Sequence, residues 1–221
     1  LPRASDKPSE MLRPMTSILT ITLNPTVDFA TSAAQVVPGL KLRCKTPRLD
    51  PGGGGINVAR AILNLDGQAQ AFVAIGGPPG AQLLELLAFE GVPCVAVQGP
   101  GETRQSFSVI DDSKNVQYRF VTPGPDWLAP DVDRVLDGLD RAAREDAIFV
   151  LSGSQPPGVA KDFPALLAAH IRDHNARLAI FDNNLTPSQM ANLDRALGVK
   201  VIDRTELVLQ VFARRARTGE A

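Results

Sequence analysis

Pro51-Gly52-Gly53-Gly54-Gly55-Ile56-Asn57-Val58-Ala59-Arg60 runs a string of glycines directly into an amphipathic helix. Without a Cβ the backbone takes positive φ freely, and a ligand can reach main-chain N–H groups at a helix N-terminus, where the macrodipole also favours negative charge. The same run also serves as a tight strand-to-helix turn, so its surroundings decide the reading.

Around this loop, apolar runs bounded by turn signals read as strands at Ser17 to Leu23, Ala69 to Ile75, Cys94 to Val97, Ala147 to Leu151, Arg177 to Phe181 and Val199 to Ile202. Helical patterns fall at Gly55 to Leu65, Gly80 to Phe89, Asp131 to Arg144, Lys161 to His174, Pro187 to Leu197 and Arg204 to Arg217. Strands alternating with helices predict a parallel sheet covered on both faces. Val36 to Leu49 and Gln105 to Thr122 instead alternate with period two, the second around a turn at Asp111-Asp112-Ser113-Lys114-Asn115. They predict a small antiparallel lid sheet, whose apolar face would seek a second copy and make a homodimer.

The chain has 221 residues with 23 Lys+Arg against 24 Asp+Glu, so no global field points to nucleic acid or an anionic membrane. Cys44 and Cys94 stand far apart without Cys-x-x-Cys spacing, which suits two reduced thiols in a cytoplasmic protein. No apolar run approaches the roughly 18 residues of a membrane span. Residues 1–16 are polar and Pro-rich and read as a disordered lead-in. His170 and His174 share a helix face at a spacing that metal sites use, but no third ligand is evident nearby. They read as surface residues, and no metal site is assigned. Arg214-Arg215-Ala216-Arg217 reads as a solvated helix end or, alternatively, a nucleic-acid or ribosome contact. Trp127, Tyr118 and Phe120 read as lid packing.

Taken together, Thr22-Leu23-Asn24-Pro25-Thr26-Val27-Asp28, Gly39 to Arg43, Pro51 to Arg60, Thr103-Arg104-Gln105, Gln117 to Val121 and Ser152-Gly153-Ser154-Gln155-Pro156-Pro157-Gly158 resemble the ribokinase-type (PfkB) sugar kinases, nearest the 6-phosphofructokinase branch. The resemblance implies a Rossmann-like, ribokinase-like α/β fold with a β lid and a place in carbohydrate metabolism. It also implies ATP-dependent phosphorylation of fructose 6-phosphate, with Mg and ATP as the parent family's cofactors.

Asp28 would end the first strand and accept sugar hydroxyls; its alternative is a turn aspartate. Gly53, Gly54 and Asn57 resemble the sugar-contacting loop. Lys41, two before Arg43 and on the same strand face, would help hold the phosphate; both are alternatively charges on a solvated edge strand. Arg104 resembles the phosphate-holding residue, and Ser154 by resemblance lines the sugar site.

The family's catalytic aspartate lies in a Gly-Ala-Gly-Asp motif, which does not occur in this sequence, and no Walker-type loop replaces it. No catalytic base is therefore assigned, neither Mg nor ATP is expected to bind well, and the chain alone is expected to be inactive. The stretch Ile180 to Leu193, with Val201 to Thr205 and Phe212 to Thr218, resembles the N-terminal domain of HflX-type ribosome-associated GTPases. The expected organisation is a kinase-like portion over 17–176, with lid strands at 36–49 and 105–122, and a GTPase-like tail over 177–221. The join near Asn175 would be a natural fusion, an assembly artefact or an engineered chimera. The alternative function is a non-catalytic module whose tail docks a ribosome or partner. A further alternative keeps the tail in the kinase, with Asp203 and Glu206 imitating that family's Asn-x-x-Glu motif near magnesium.

Overall fold

The computed structural model describes residues 18–144, 147–171, 178–181, 186–198, 200–203 and 205–206. The lead-in, His174, the neighbourhood of Asn175 and, apart from Thr205 and Glu206, the helix expected from Arg204 to Arg217, with its arginine cluster, lie outside the described residues.

Strands β1 (Ile18–Thr22), β4 (Ala69–Ile75), β5 (Cys94–Gln98), β8 (Ile148–Leu151), β9 (Leu178–Phe181) and β10 (Lys200–Asp203) form one parallel sheet in the order β10-β9-β8-β1-β4-β5. Its central strands read ILTIT and AQAFVAI, nearly continuous apolar runs, because helices cover both faces. On one face α1 (Gly54–Asn64) and α2 (Gly77–Phe89) pack Ile56, Ala59, Leu83 and Leu87 on Ala71 and Val73. On the other, α3 (Ala129–Ala142) and α4 (Phe163–Ile171) pack Val135, Leu139, Phe163, Leu167 and Ile171 on Leu19, Ile21, Phe72 and Phe149. Helix α5 (Pro187–Leu197) packs Leu193 against Ala168 and Val201, so the C-terminal strands extend the sheet with a core of their own. No helix among the described residues is long and apolar enough to cross a membrane.

The lid is a separate four-stranded sheet, β3-β2-β6-β7, made of β2 (Thr26–Ala33), β3 (Arg48–Gly52), β6 (Arg104–Asp111) and β7 (Val116–Val121). It is mixed: β2 pairs in parallel with β6 and antiparallel with β3, because the chain passes through α1, β4, α2 and β5 before re-entering the lid from the same end. The segment 36–49 is not the lid strand that its alternation predicts. Pro38, Gly39 at φ 78 and Pro47 interrupt it, and an isolated bridge between Ala33 and Cys44 is its only ladder pairing before β3. The first lid strand is β2 instead, whose Val27-Asp28-Phe29-Ala30 alternation follows the Asn24-Pro25 break. Helix α2 begins at Gly77, earlier than the expected Gly80, since Pro78 and Pro79 fit a first turn, where no helical N–H is needed.

At the end of the β6–β7 hairpin the buried Asp111 carboxylate accepts from Ser113 Oγ at 2.6 Å, Ser113 N at 2.9 Å, Lys114 N at 3.3 Å and Val36 N at 3.0 Å. These bonds, led by the Ser113 hydroxyl, hold its pKa below the ordinary 3.8. Both cysteines are free thiols, Cys44 exposed and Cys94 half-buried, with burial pushing the Cys94 thiol up to about 11.

Thr20, fully buried in the middle of β1 between Ala71 and Val150, has a hydroxyl with no hydrogen-bond partner among the described residues. Thr20→Val keeps the shape and removes the orphan, and should raise the unfolding free energy by about 1 kcal/mol. The urea midpoint at unchanged m-value measures this, and a lower midpoint would mean that the hydroxyl is satisfied in solution.

Candidate functional site

In the main sheet the chain runs from β1 outward to β4 and β5 on one side and returns to β8 on the other, so the strand order switches between β1 and β8. Open α/β sheets bind ligands outside the carboxyl ends of strands at such a point. Here the N-terminus of α1 fills the base of the crevice. A Cβ on Gly54 would strike the backbone of Ser152 and Gly153, and one on Gly55 would lie 2.7 Å from the Ile21 carbonyl oxygen. Gly53, at φ 129, caps the helix without a side chain. Protein groups take the next donors: Gly55 N–H donates to the Ser152 carbonyl and Ile56 N–H to Thr22 Oγ1, both at 3.1 Å. Half-buried Gly53 and Gly54 remain as the bare edge of the crevice.

Asp28 lies on β2, in the lid, and not at the carboxyl end of the first strand, because β1 stops at Thr22 and the Asn24-Pro25 corner starts a new strand. Its carboxylate sits directly over Gly52, where any Cβ would collide with Oδ2. Asp50 and Ser106 flank it in register. Burial raises the Asp28 pKa, and the Thr26 hydrogen bond and the charges of Arg104 and Arg119 oppose that rise.

Arg104 starts β6 and reaches back to the β1–β2 corner. Its Nε and Nη2 donate to the Asn24 carbonyl at 3.3 Å, and Nη1 donates to the Thr122 carbonyl at 3.4 Å. Burial lowers its pKa, and Asp28 acts in the opposite sense. Asn24 Nδ2 donates to Ser154 Oγ at 3.3 Å. A cleft of about 540 Å³ opens here, lined by Asn24, Arg104, Thr122, Gly124 and Ser154. Beyond Val121, a second hollow of about 410 Å³ is lined by Asp28, Asp50, Ser106, Arg60 and Arg119.

Contacts link Asp28 through Gly52 to Gly54, across to Ser152–Ser154, and back through Asn24 to Arg104, whose charge acts on Asp28 without touching it. Asn57 stands exposed on the first turn of α1 and lines neither cleft. Lys41 and Arg43 share no strand face, since both lie in the exposed loop between β2 and β3 and line neither cleft. Residue-type reasoning passed over Asn24, Asp50 and Arg119. Asn24-Pro25 after an apolar strand was the available signal for the first, and alternation in Gln117-Tyr118-Arg119 for the last.

Among the described residues no cluster of His, Cys, Asp and Glu is arranged to hold a metal ion. The Asp203 carboxylate accepts the Glu206 N–H at 2.8 Å, and Glu206 pairs with Lys200 at 3.2 Å. His170 Nε2 lies 2.7 Å from Asp140 and 3.2 Å from the Leu136 carbonyl, joining α4 to α3.

Residues 160–213 match the family model described as GTP-binding GTPase N-terminal. The ATP-dependent 6-phosphofructokinase isozyme 2 of Mycobacterium tuberculosis is 46% identical over 146 residues, which are 66% of this chain and 43% of that protein. A GTPase HflX of Caldanaerobacter subterraneus is 46% identical over 54 residues, 24% of this chain and 13% of that protein. The structure of phosphofructokinase-2 from Escherichia coli in complex with fructose-6-phosphate aligns with a TM-score of 0.72 and 32% identity, over 87% of this chain and 68% of that one. The chain spans less than half the length of the curated 6-phosphofructokinase isozymes 2 it matches. Over about two thirds of its length the chain belongs to the PfkB-type, ribokinase-like 6-phosphofructokinases, and its C-terminal part carries an HflX-like N-terminal GTPase region.

Proposed function

We propose that this chain is the sugar-phosphate-binding part of a phosphofructokinase-type kinase, joined to a GTPase-like segment that completes its sheet. The supporting observation lies at the β1/β8 switch point, where the Arg104 guanidinium and the Ser154 hydroxyl line one hollow and the Asp28 carboxylate lines a second, with Val121 between them. Arg104 has five N–H donors, and its bonds to the Asn24 and Thr122 carbonyls fix the plane of the guanidinium while leaving donors for a phosphate. Asp28 accepts sugar hydroxyls from one side and Ser154 from the other, while Asn57 and the Gly53–Gly54 backbone, which line neither hollow, take part only if the sugar lies along the start of α1. Lys41 reaches the phosphate only if its loop folds over the cleft.

In the reaction of the parent family, the C1 hydroxyl of fructose 6-phosphate attacks the γ-phosphoryl group of MgATP. The residues present position that acceptor, and none of them is assigned as the base. The organisation proposed is the kinase-like part from residue 17 and the GTPase-like part from about 177, in a cytoplasmic homodimer. The dimer reading draws on the lid, where Phe107 at 40% and Phe120 at 58% exposure continue the apolar face whose inner end, Val27 and Leu49, packs on the main core. Ribosome docking by the tail is a second reading, favoured by the family match over 160–213 alone.

Arg104→Ala should weaken fructose 6-phosphate binding by about 1.5–3 kcal/mol, the range of a hydrogen bond to a charged group. Calorimetry on both proteins is the test, and equal affinities would remove Arg104 from the site. With MgATP and millimolar fructose 6-phosphate, the purified chain should show no turnover above background, since loss of a general base alone costs about 10²–10⁴-fold. Coupled-assay formation of fructose 1,6-bisphosphate would show that a replacement base is present. Val109→Lys, on the Phe107 face of β6, should convert a dimer to a monomer in sedimentation; an unmutated protein that is already monomeric would end the dimer reading.

A further inference from the structure

Asn24 has no assigned role, yet three elements meet on it. Its carbonyl holds the Arg104 guanidinium through two bonds of 3.3 Å, and its side-chain Nδ2 donates to Ser154 Oγ at 3.3 Å. Its Oδ1 lies so close to Gly124, on the segment leaving the lid, that any Cβ there would collide with it. The residue is 9% exposed, which makes its polar contacts costly to lose. A few residues further on, Trp127 N–H donates to the Pro157 carbonyl at 2.9 Å, and Gly158, at φ 82, packs against the Trp127 backbone. The lid exit and the Ser154–Gly158 loop are therefore joined at one end through Trp127 and at the other through Asn24.

We propose that Asn24 is a positioning residue that couples the two ends of the cleft. Its backbone sets the Arg104 guanidinium, its amide sets Ser154, and the two groups keep a fixed separation because one residue holds both. The argument rests on reading the cleft as a sugar-phosphate site. A rigid acceptor that carries a phosphate at one end and hydroxyls at the other needs such a fixed span, because misplacement at either end loses the contacts at both.

Two measurements on the full chain separate the coupling from the ligand. In hydrogen exchange without ligand, Asn24→Ala should speed exchange of both Val121–Trp127 and Gly153–Val159 by about tenfold, with Ser154→Ala doing the same from the exposed end. Asn24→Asp, whose carboxylate accepts from the Ser154 hydroxyl, should restore slow exchange. Acceleration confined to residues beside the substitution overturns the proposal, whatever binds. In the second measurement, emission of Trp127, the single tryptophan, follows titration with fructose 6-phosphate. Asn24→Ala should weaken binding about 5–10-fold, and adding Ser154→Ala to Asn24→Ala should cost less than the two single losses combined. Additive losses, or an unchanged affinity in Asn24→Ala, overturn the proposal. Coupled exchange in a protein that binds no fructose 6-phosphate would instead overturn the substrate reading and leave the coupling intact.

Discussion

The seating of α1 on the ends of β1 and β8 is the constraint on which the other features depend. Backbone meets backbone there: Gly55 lies against the Ile21 carbonyl, and Gly54 against Ser152 and Gly153. An added methyl would push the helix off the sheet by its own radius, and interiors packed at crystal density have no slack to absorb that. Once the helix is seated, β3 must arrive at its start, which places Gly52 beneath Asp28 and so fixes the height of the lid above the main sheet. The glycine run is thus first a packing device, and the bare edge offered to a ligand follows from it.

Charge in the site follows the same geometry. Asp28 and Arg104 sit on neighbouring lid strands and are both about half-buried, so each loses water and each partly restores the other's charged form. Among the described residues neither is closed off by an ion pair within 4 Å, in contrast to Arg60, which pairs with Glu90 at 2.8 Å through Nη2. A carboxylate and a guanidinium kept charged but not joined remain available to a third, external group.

Much of this was legible in the sequence where one physical signal acted alone. The apolar run Ala69–Ile75 is a buried parallel strand at its predicted bounds, since nothing competes with burial on both faces. The β6–β7 turn sits where Asp111 to Asn115 announced it, with Asn115 at φ 52. Reading failed where signals overlapped. The motif running from Thr22 to Asp28 looked like a single strand end, although the Asn24-Pro25 corner divides it between two sheets. Residues 36–49 alternate convincingly, but Pro38, Gly39 and Pro47 break the run, so that only a bridge at Cys44 and the first residues of β3, Arg48 and Leu49, pair with β2. The role of Asn24 was hidden because it depends on contacts 80 and 130 residues away.

The helix α4 carries a wider meaning. It lies within the stretch matching the GTPase family, yet its Phe163, Leu167 and Ile171 share one core with Leu19, Ile21 and Phe149, which lie outside that stretch. Parallel sheets repeat the same strand-and-helix module at the same spacing, so a segment that resembles one family finds a ready-made berth on a sheet that resembles another. Adding such a module to a sheet resembles laying a plank from one floor into another of equal gauge. The grain that must match is the pattern of large and small apolar residues on the berth, and ancestry hardly enters.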